Sequence, residues 1–137
     1  VGILLDSTFF VDAERSGLSA RQALARFSLR FPAEQTALSV ITLAELAHGL
    51  ARADTPPRRA ARQRFIDELM KSIPTMPVTA AAALRAGELD GQNKARGIHV
   101  ALADLLIGAR ALGLGYKVAT TNFRDFQEIP GLEIISV

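Results

Sequence analysis

Asp104 stands where a carboxylate needs a reason. With residues 100–112 placed on a helical wheel, it falls between Val100, Ile107 and Ala111 on one side and Ala101 and Gly108 on the other. Arg110, the other charge of that segment, points away. A carboxylate on an apolar helix face is rarely tolerated without a metal or a cationic partner. Asp104 is therefore either a ligand or one half of an ion pair with a basic residue elsewhere. Asp6 ends the apolar run Gly2-Ile3-Leu4-Leu5 just before a helical segment; the position suits a catalytic carboxylate and suits a helix cap equally well. Glu45 lies nearly opposite the apolar seam Leu43, Leu46, Ala47 and Leu50. Periodicity alone makes it a solvated glutamate or the partner of Thr42 in a capping box, yet His48, Gly49 and Arg52 share its face and would equally line a cleft. Asn122 and Asp125 fall in one short turn after a late strand, where either could complete such a site or simply cap and decorate it.

The chain has no cysteine and two histidines. Disulfides, thiolate zinc sites and thiol nucleophiles are excluded. Carboxylates without Cys and with little His favour a hard cation held through oxygen, and Mg²⁺ usually takes one or two carboxylates directly while keeping several waters. One such ion can activate water and a second can stabilise the leaving oxygen of a phosphodiester, chemistry that needs acids at a strand end and no histidine base. Nothing in the pattern places His48 and His99 together, so both read as structural. Arg58, Arg59, Arg62 and Arg64 form a basic helix face, solvated or, on the sharper reading, a track for RNA with a steep salt dependence. Gly113-Leu114-Gly115 is a weak phosphate-loop lookalike and reads as a helix stop.

These residues need elements to hold them. Residues 2–5 read as a buried strand and Ser7 as the cap of the helix that follows. A second helix starts near Ser19 and stops at Pro32. Leu38-Ser39-Val40-Ile41 reads as a strand, with Thr42 capping a helix through Leu50. Pro56 and Pro57 open a further helix with Phe65, Ile66, Leu69, Met70 and Ile73 as its apolar face. A brief extended piece at Met76–Val78 precedes an Ala-rich helix over 79–95. Another helix spans about 100–112 and ends at Gly113. Lys117–Thr120 is a strand, 122–126 a helical turn and 133–137 a last strand. Short apolar strands alternating with longer helices predict an α/β fold, a three-layer αβα sandwich around a central, mostly parallel sheet. Sites in such folds gather at the carboxyl ends of strands, where Asp6 and Thr120–Asn122 lie. A receiver domain would need an acceptor Asp after a central strand and a Lys ending a late one; Thr79 and Lys117 do not supply them.

At 137 residues, 49% hydrophobic and 22% charged, the chain is expected to form one globular domain over 1–137. No apolar run is long enough for a membrane span and no signal-peptide pattern opens the sequence, so a cytoplasmic protein is the expectation. A net charge of +2 and a pI near 9.5 are compatible with a polyanionic partner without establishing one. The 6% aromatic content, with no Trp, argues against an RNA binder built on exposed stacking platforms.

In order along the chain come Leu4-Leu5-Asp6-Ser7, Thr42-Leu43-Ala44-Glu45-Leu46 with Gly49, Ala103-Asp104-Leu105-Leu106-Ile107-Gly108-Ala109, then Thr120-Thr121-Asn122-Phe123-Arg124-Asp125-Phe126 and Pro130-Gly131-Leu132. This series resembles the PIN-domain ribonucleases, specifically the VapC-type toxins of bacterial toxin–antitoxin pairs, over the whole chain. The resemblance implies a PIN-like fold and a Mg²⁺ or Mn²⁺ site with Asp6, Glu45 and Asp104 as metal acids. It implies that Asn122 and Asp125 share the fourth position, and that Ser7 supports the site where the family more often has Thr. It further implies hydrolysis of single-stranded or loop RNA, tRNA or ribosomal, a VapB-type antitoxin as partner, and a homodimer. A catalytically weak PIN-fold binding module is the alternative. The apolar helices on either side of Pro56-Pro57 would offer an antitoxin helix a groove.

Overall fold

The structure is a computed structural model that describes residues 1–137. Gly2–Leu5 (β1), Gln35–Ser39 (β2), Thr75–Met76 (β3), Lys117–Thr120 (β4) and Ile134–Ser136 (β5) form one sheet in the order β3-β2-β1-β4-β5, and every pairing is parallel. All of β1 is buried, as expected for an unbroken apolar run at the middle of a parallel sheet. The helices are Ser7–Arg15 (α1), Ala20–Arg30 (α2), Val40–Ala51 (α3), Pro56–Ser72 (α4), Ala80–Ala95 (α5), Leu102–Leu114 (α6) and the single turn Phe123–Phe126 (α7).

The two-residue period of the strands divides the core. Ile3, Leu5, Leu38 and Ala119 pack with Phe10, Leu24, Phe27, Leu46, Phe65 and Leu69 of α1 to α4. Leu4, Ala37 and Val118 point to the opposite face, against Ala86 and Leu89 of α5 and Leu105 and Ile107 of α6. The result is the predicted three-layer αβα sandwich. Each buried Leu, Ile or Phe contributes about 1.5–3 kcal/mol. Edge-on aromatic pairs lock α1 in place: Phe9 meets Phe27 of α2 at 5.4 Å between centroids, and Phe10 meets Phe65 of α4 at 6.2 Å. The sheet is wound outward from β1 in both directions, so the strand order reverses between β1 and β4. That reversal opens a crevice at the carboxyl ends of these two strands.

Several boundaries differ from those read in the sequence. β2 stops at Ser39, and Val40 and Ile41 are already helical. Ser39, not Thr42, caps α3: its hydroxyl accepts the Ile41 N–H at 3.1 Å. The Thr42–Glu45 capping box is therefore absent, and Thr42 is buried one turn into the helix. The β-branched pair Val40-Ile41 suggested a strand, but the cap overrides that weak preference. Ser7 is the first residue of α1 rather than its cap; Asp6 holds the cap position without a capping bond. Gly113 lies inside α6, and the helix ends at Gly115, whose φ of 70° suits a residue without a side chain. Met70 is 52% exposed and not part of the core; Ala47, expected in the α3 seam, is exposed as well. α2 starts near Ser19 as read, with Ser19 in a full capping box with Gln22, and Thr55, to which the sequence assigned no role, caps α4 ahead of Pro56.

Arg62 leaves the solvated face expected of its neighbours. Its Nε donates to Glu14 Oε2 at 2.8 Å and its Nη1 to the Leu46 carbonyl at 3.3 Å, tying α4 to α1 and α3. Gly49 makes this crossing possible, because a Cβ there would overlap the Arg62 guanidinium.

Candidate active site

The crevice between β1 and β4 gathers the acids. Asp6 follows the last residue of β1, and its backbone N–H still pairs with the Ala119 carbonyl at 3.0 Å, so the sheet fixes its Cα. The residue is 1% exposed. Its Oδ2 accepts hydrogen bonds from Thr8 Oγ1 at 3.0 Å and Thr120 Oγ1 at 2.8 Å, while its Oδ1 is buried without a partner. Glu45 enters from the second turn of α3. It is partly buried, and its Oε1 is likewise buried without a partner. Asp104 enters from the first turn of α6, 8% exposed. The Asn122 side-chain amide bridges two acids, with Nδ2 3.2 Å from Asp104 Oδ2 and 3.1 Å from Asp125 Oδ2.

The electrostatics are those of uncompensated like charges. No Lys or Arg forms an ion pair with Asp6, Glu45, Asp104 or Asp125, so the ion-pair reading of Asp104 does not describe this structure. Burial, then the charges of Asp6, Glu45 and Asp125, push the Asp104 carboxyl up to about 7, against the opposing hydrogen bond from Asn122. The α6 dipole favours an anion in its first turn by roughly 0.3–1 kcal/mol, too little to offset this. Glu45 is raised too, by burial first and by Asp6 second, with the nearby Ser7 hydroxyl pulling the other way.

Asp6, Glu45, Asp104, Asn122 and Asp125 thus face one crevice, with Ser7 at its rim. The carboxylates do not close into a group of three already able to grip a metal ion by themselves. What they present is two orphaned buried oxygens, Asp6 Oδ1 and Glu45 Oε1, in a set made of oxygen donors. That fits a hydrated hard cation, which takes one or two carboxylates directly and fills its remaining positions with water. His48 and His99 are both exposed, and neither touches these acids. Two residues had no role assigned from the sequence: Thr8 and the side chain of Thr120, which together hold Asp6. The available signal was a polar residue ending each of two buried strands, with a hydroxyl two positions after the first acid.

A groove along α1 is lined by Ser7, Thr8, Val11, Asp12, Arg15 and Thr121. Arg15 also lines an open cavity of about 770 Å³ with Arg52, Arg58 and Arg62. Arg58 is paired with Asp54 and Arg62 with Glu14, whereas Arg15 and Arg52 have no acidic partner. No helix is long and apolar enough to cross a membrane.

The PIN domain family model matches residues 3–132. A Ribonuclease VapC of Rickettsia bellii is 28% identical over 138 aligned positions, covering 100% of this chain and 97% of its own. A tRNA(fMet)-specific endonuclease VapC of Salmonella typhimurium is 28% identical over 80% of this chain and 79% of its own. Among solved structures, VapBC2 from Rickettsia felis, bound to a DNA fragment from its promoter, superposes with a TM-score of 0.82 at 22% identity, covering 98% of both chains, which shows the shared fold. The chain belongs to the PIN domain family, among the VapC-type ribonucleases.

Proposed function

We propose that this chain is a Mg²⁺-dependent endoribonuclease, able to use Mn²⁺, that hydrolyses phosphodiester bonds in single-stranded or loop RNA. Asp6, Glu45 and Asp104 would hold the metal, with Asp125 as a fourth acid and Asn122 and Ser7 in support. The observation that carries this reading is the set of like charges converging on one crevice without a basic partner, two of them with an orphaned buried oxygen. A bound divalent ion would supply Lewis-acid chemistry, making water more acidic and stabilising the leaving oxygen.

The chain's own groups do the rest. Asp6 and Asp104 are fixed by hydroxyl and amide donors and so present their oxygens in one orientation. Glu45 is partly buried, and burial and the Asp6 charge raise its pKa, which makes its carboxylate a better acceptor for the proton of a water it orients. Asn122 holds Asp125 against Asp104. Arg15 and Arg52, without acidic partners of their own, are free to hold a phosphate backbone in the cavity they line.

The tRNA specificity carried in the name of the Salmonella typhimurium relative makes a tRNA loop the first substrate to try. The solved VapBC complex supports a VapB-type antitoxin partner for this chain, and we extend the proposal to a homodimer. Incubating total cellular RNA with the protein in Mg²⁺, in Mn²⁺ and in EDTA tests the activity, and sequencing the new ends names the RNA. Discrete cuts only with metal support the reading; equal cutting in EDTA removes it. Expression with and without the adjacent small open reading frame tests neutralisation, which equal growth would contradict. A monomeric mass in solution would contradict the dimer.

A further inference from the structure

The hydrogen bonds around Asp6 are lopsided. Both donors reach the same oxygen: Thr8 Oγ1 and Thr120 Oγ1 lie 3.0 and 2.8 Å from Oδ2. Oδ1, equally buried, receives nothing. Each hydroxyl oxygen is also anchored from behind. Thr120 Oγ1 accepts the Asn122 backbone N–H at 2.8 Å, and Thr8 Oγ1 accepts the Thr121 backbone N–H at 3.0 Å. A hydroxyl has one proton to donate and can accept twice; the carboxylate is the charged acceptor within reach of both, so it is the stronger destination for each proton. The two hydroxyl oxygens also lie 3.2 Å apart, within hydrogen-bond reach of each other. Two consecutive backbone amides after β4 are thus relayed through two threonines onto one oxygen of an acid that is 1% exposed.

We infer that Thr8 and Thr120 are positioning residues that occupy Oδ2 of Asp6 and leave Oδ1 as its single metal-binding oxygen. A buried carboxylate oxygen without a donor is unfavourable unless a cation faces it. Supporting the second oxygen through two rigid donors fixes the carboxylate plane, and so fixes where Oδ1 points. Residues that orient a metal ligand in this way typically change metal affinity 10- to 100-fold when removed. The inference rests on the metal-site reading above and adds what sets the orientation of its first ligand.

The test is calorimetric titration of metal-free protein with MnCl₂, at a temperature where circular dichroism shows each variant folded. Thr8→Val and Thr120→Val keep shape and remove the donor; each is expected to weaken Mn²⁺ binding about tenfold or more, while Thr8→Ser and Thr120→Ser stay within about twofold of wild type. A role limited to stapling β1 to β4 would lower the melting temperature of the Val variants without moving the affinity of the folded protein. Folded Val variants that bind Mn²⁺ as wild type does would overturn the inference. Should Thr120→Val not fold, the half-buried Thr8 position decides alone. Wild type that binds no Mn²⁺ overturns the metal-site reading and this inference together. Wild type that binds, with Asp6→Asn failing to bind and the Thr→Val variants unaffected, removes this inference only.

Discussion

Asp104→Asn should stabilise the metal-free protein, and should do so only above acidic pH. The substitution keeps the shape and the Asn122 contact, since the new amide oxygen can still accept from Nδ2. It removes the charge that burial and three neighbouring acids oppose. The folded carboxyl titrates at about 7 against 3.8 for the free group. Between those values the folded state holds more protons than the unfolded one, so wild-type stability falls as pH rises through that window and is lowest above it. Three pH units correspond to about 4 kcal/mol at full strength; the higher effective dielectric that protein sites show in practice reduces this to roughly 1–2 kcal/mol. Asn has no such titration. In EDTA the variant is therefore expected to gain on wild type between pH 5 and pH 8, by roughly 3–6 °C in melting temperature for a domain of this size. At pH 8, Mg²⁺ at about ten times its Kd should raise wild type by about 1.4 kcal/mol, a similar number of degrees, and barely move the variant. Thermal scans by circular dichroism at two pH values, with EDTA and with Mg²⁺, give all the curves needed. A variant melting well below wild type in EDTA at pH 8 would refute the reasoning, because it would mean that the charge has a buried partner whose loss leaves it uncompensated.

Two further outcomes follow from the arginines. Replacing Arg15 and Arg52 together by Ala should leave the fold intact and reduce the slope of log affinity against log salt for a single-stranded RNA by about 1–2, measured by fluorescence anisotropy; an unchanged slope would exclude that cavity from the RNA path. Gly49→Ala drives a Cβ into Arg62 Nη1 and displaces it from the Leu46 carbonyl, a loss of about 1 kcal/mol that the better helix propensity of Ala roughly cancels, whereas Gly87→Ala, with open space around its Cβ position, keeps the propensity gain; urea unfolding that ranks Gly49→Ala at or above Gly87→Ala would contradict this.

Much of this was legible in the sequence because apolar pattern and cap chemistry agree over long stretches. The β1 run, the helix start near Ser19, the Pro56-Pro57 opening of α4 and the Lys117–Thr120 strand follow from burial, capping and proline geometry alone. Where a few residues satisfied two patterns, the sequence misled: Val40-Ile41 looks like strand and forms helix, and Gly113 looks like the stop that Gly115 supplies. The site was legible unevenly. Asp104 declared itself because a carboxylate on an apolar stripe violates the pattern. Glu45 did not, since a residue facing a crevice and a residue facing solvent have the same periodicity; only the family resemblance distinguished them. Thr120 was silent because its bond to Asp6 spans 114 residues of chain, which no local pattern encodes; Thr8 lies only two residues after Asp6, but a hydroxyl at that spacing is too common to single out.

The central claim is that these acids together cut RNA with a divalent ion. Its most direct test is the cleavage rate of one RNA, identified from the cut ends, by wild type, Asp6→Asn, Glu45→Gln and Asp104→Asn in saturating Mg²⁺, beside His48→Gln and His99→Gln. The account predicts that each acid variant loses at least about a hundredfold while both histidine variants keep wild-type rates. Acid variants that cut at full rate, or a histidine variant that abolishes cutting, would contradict it.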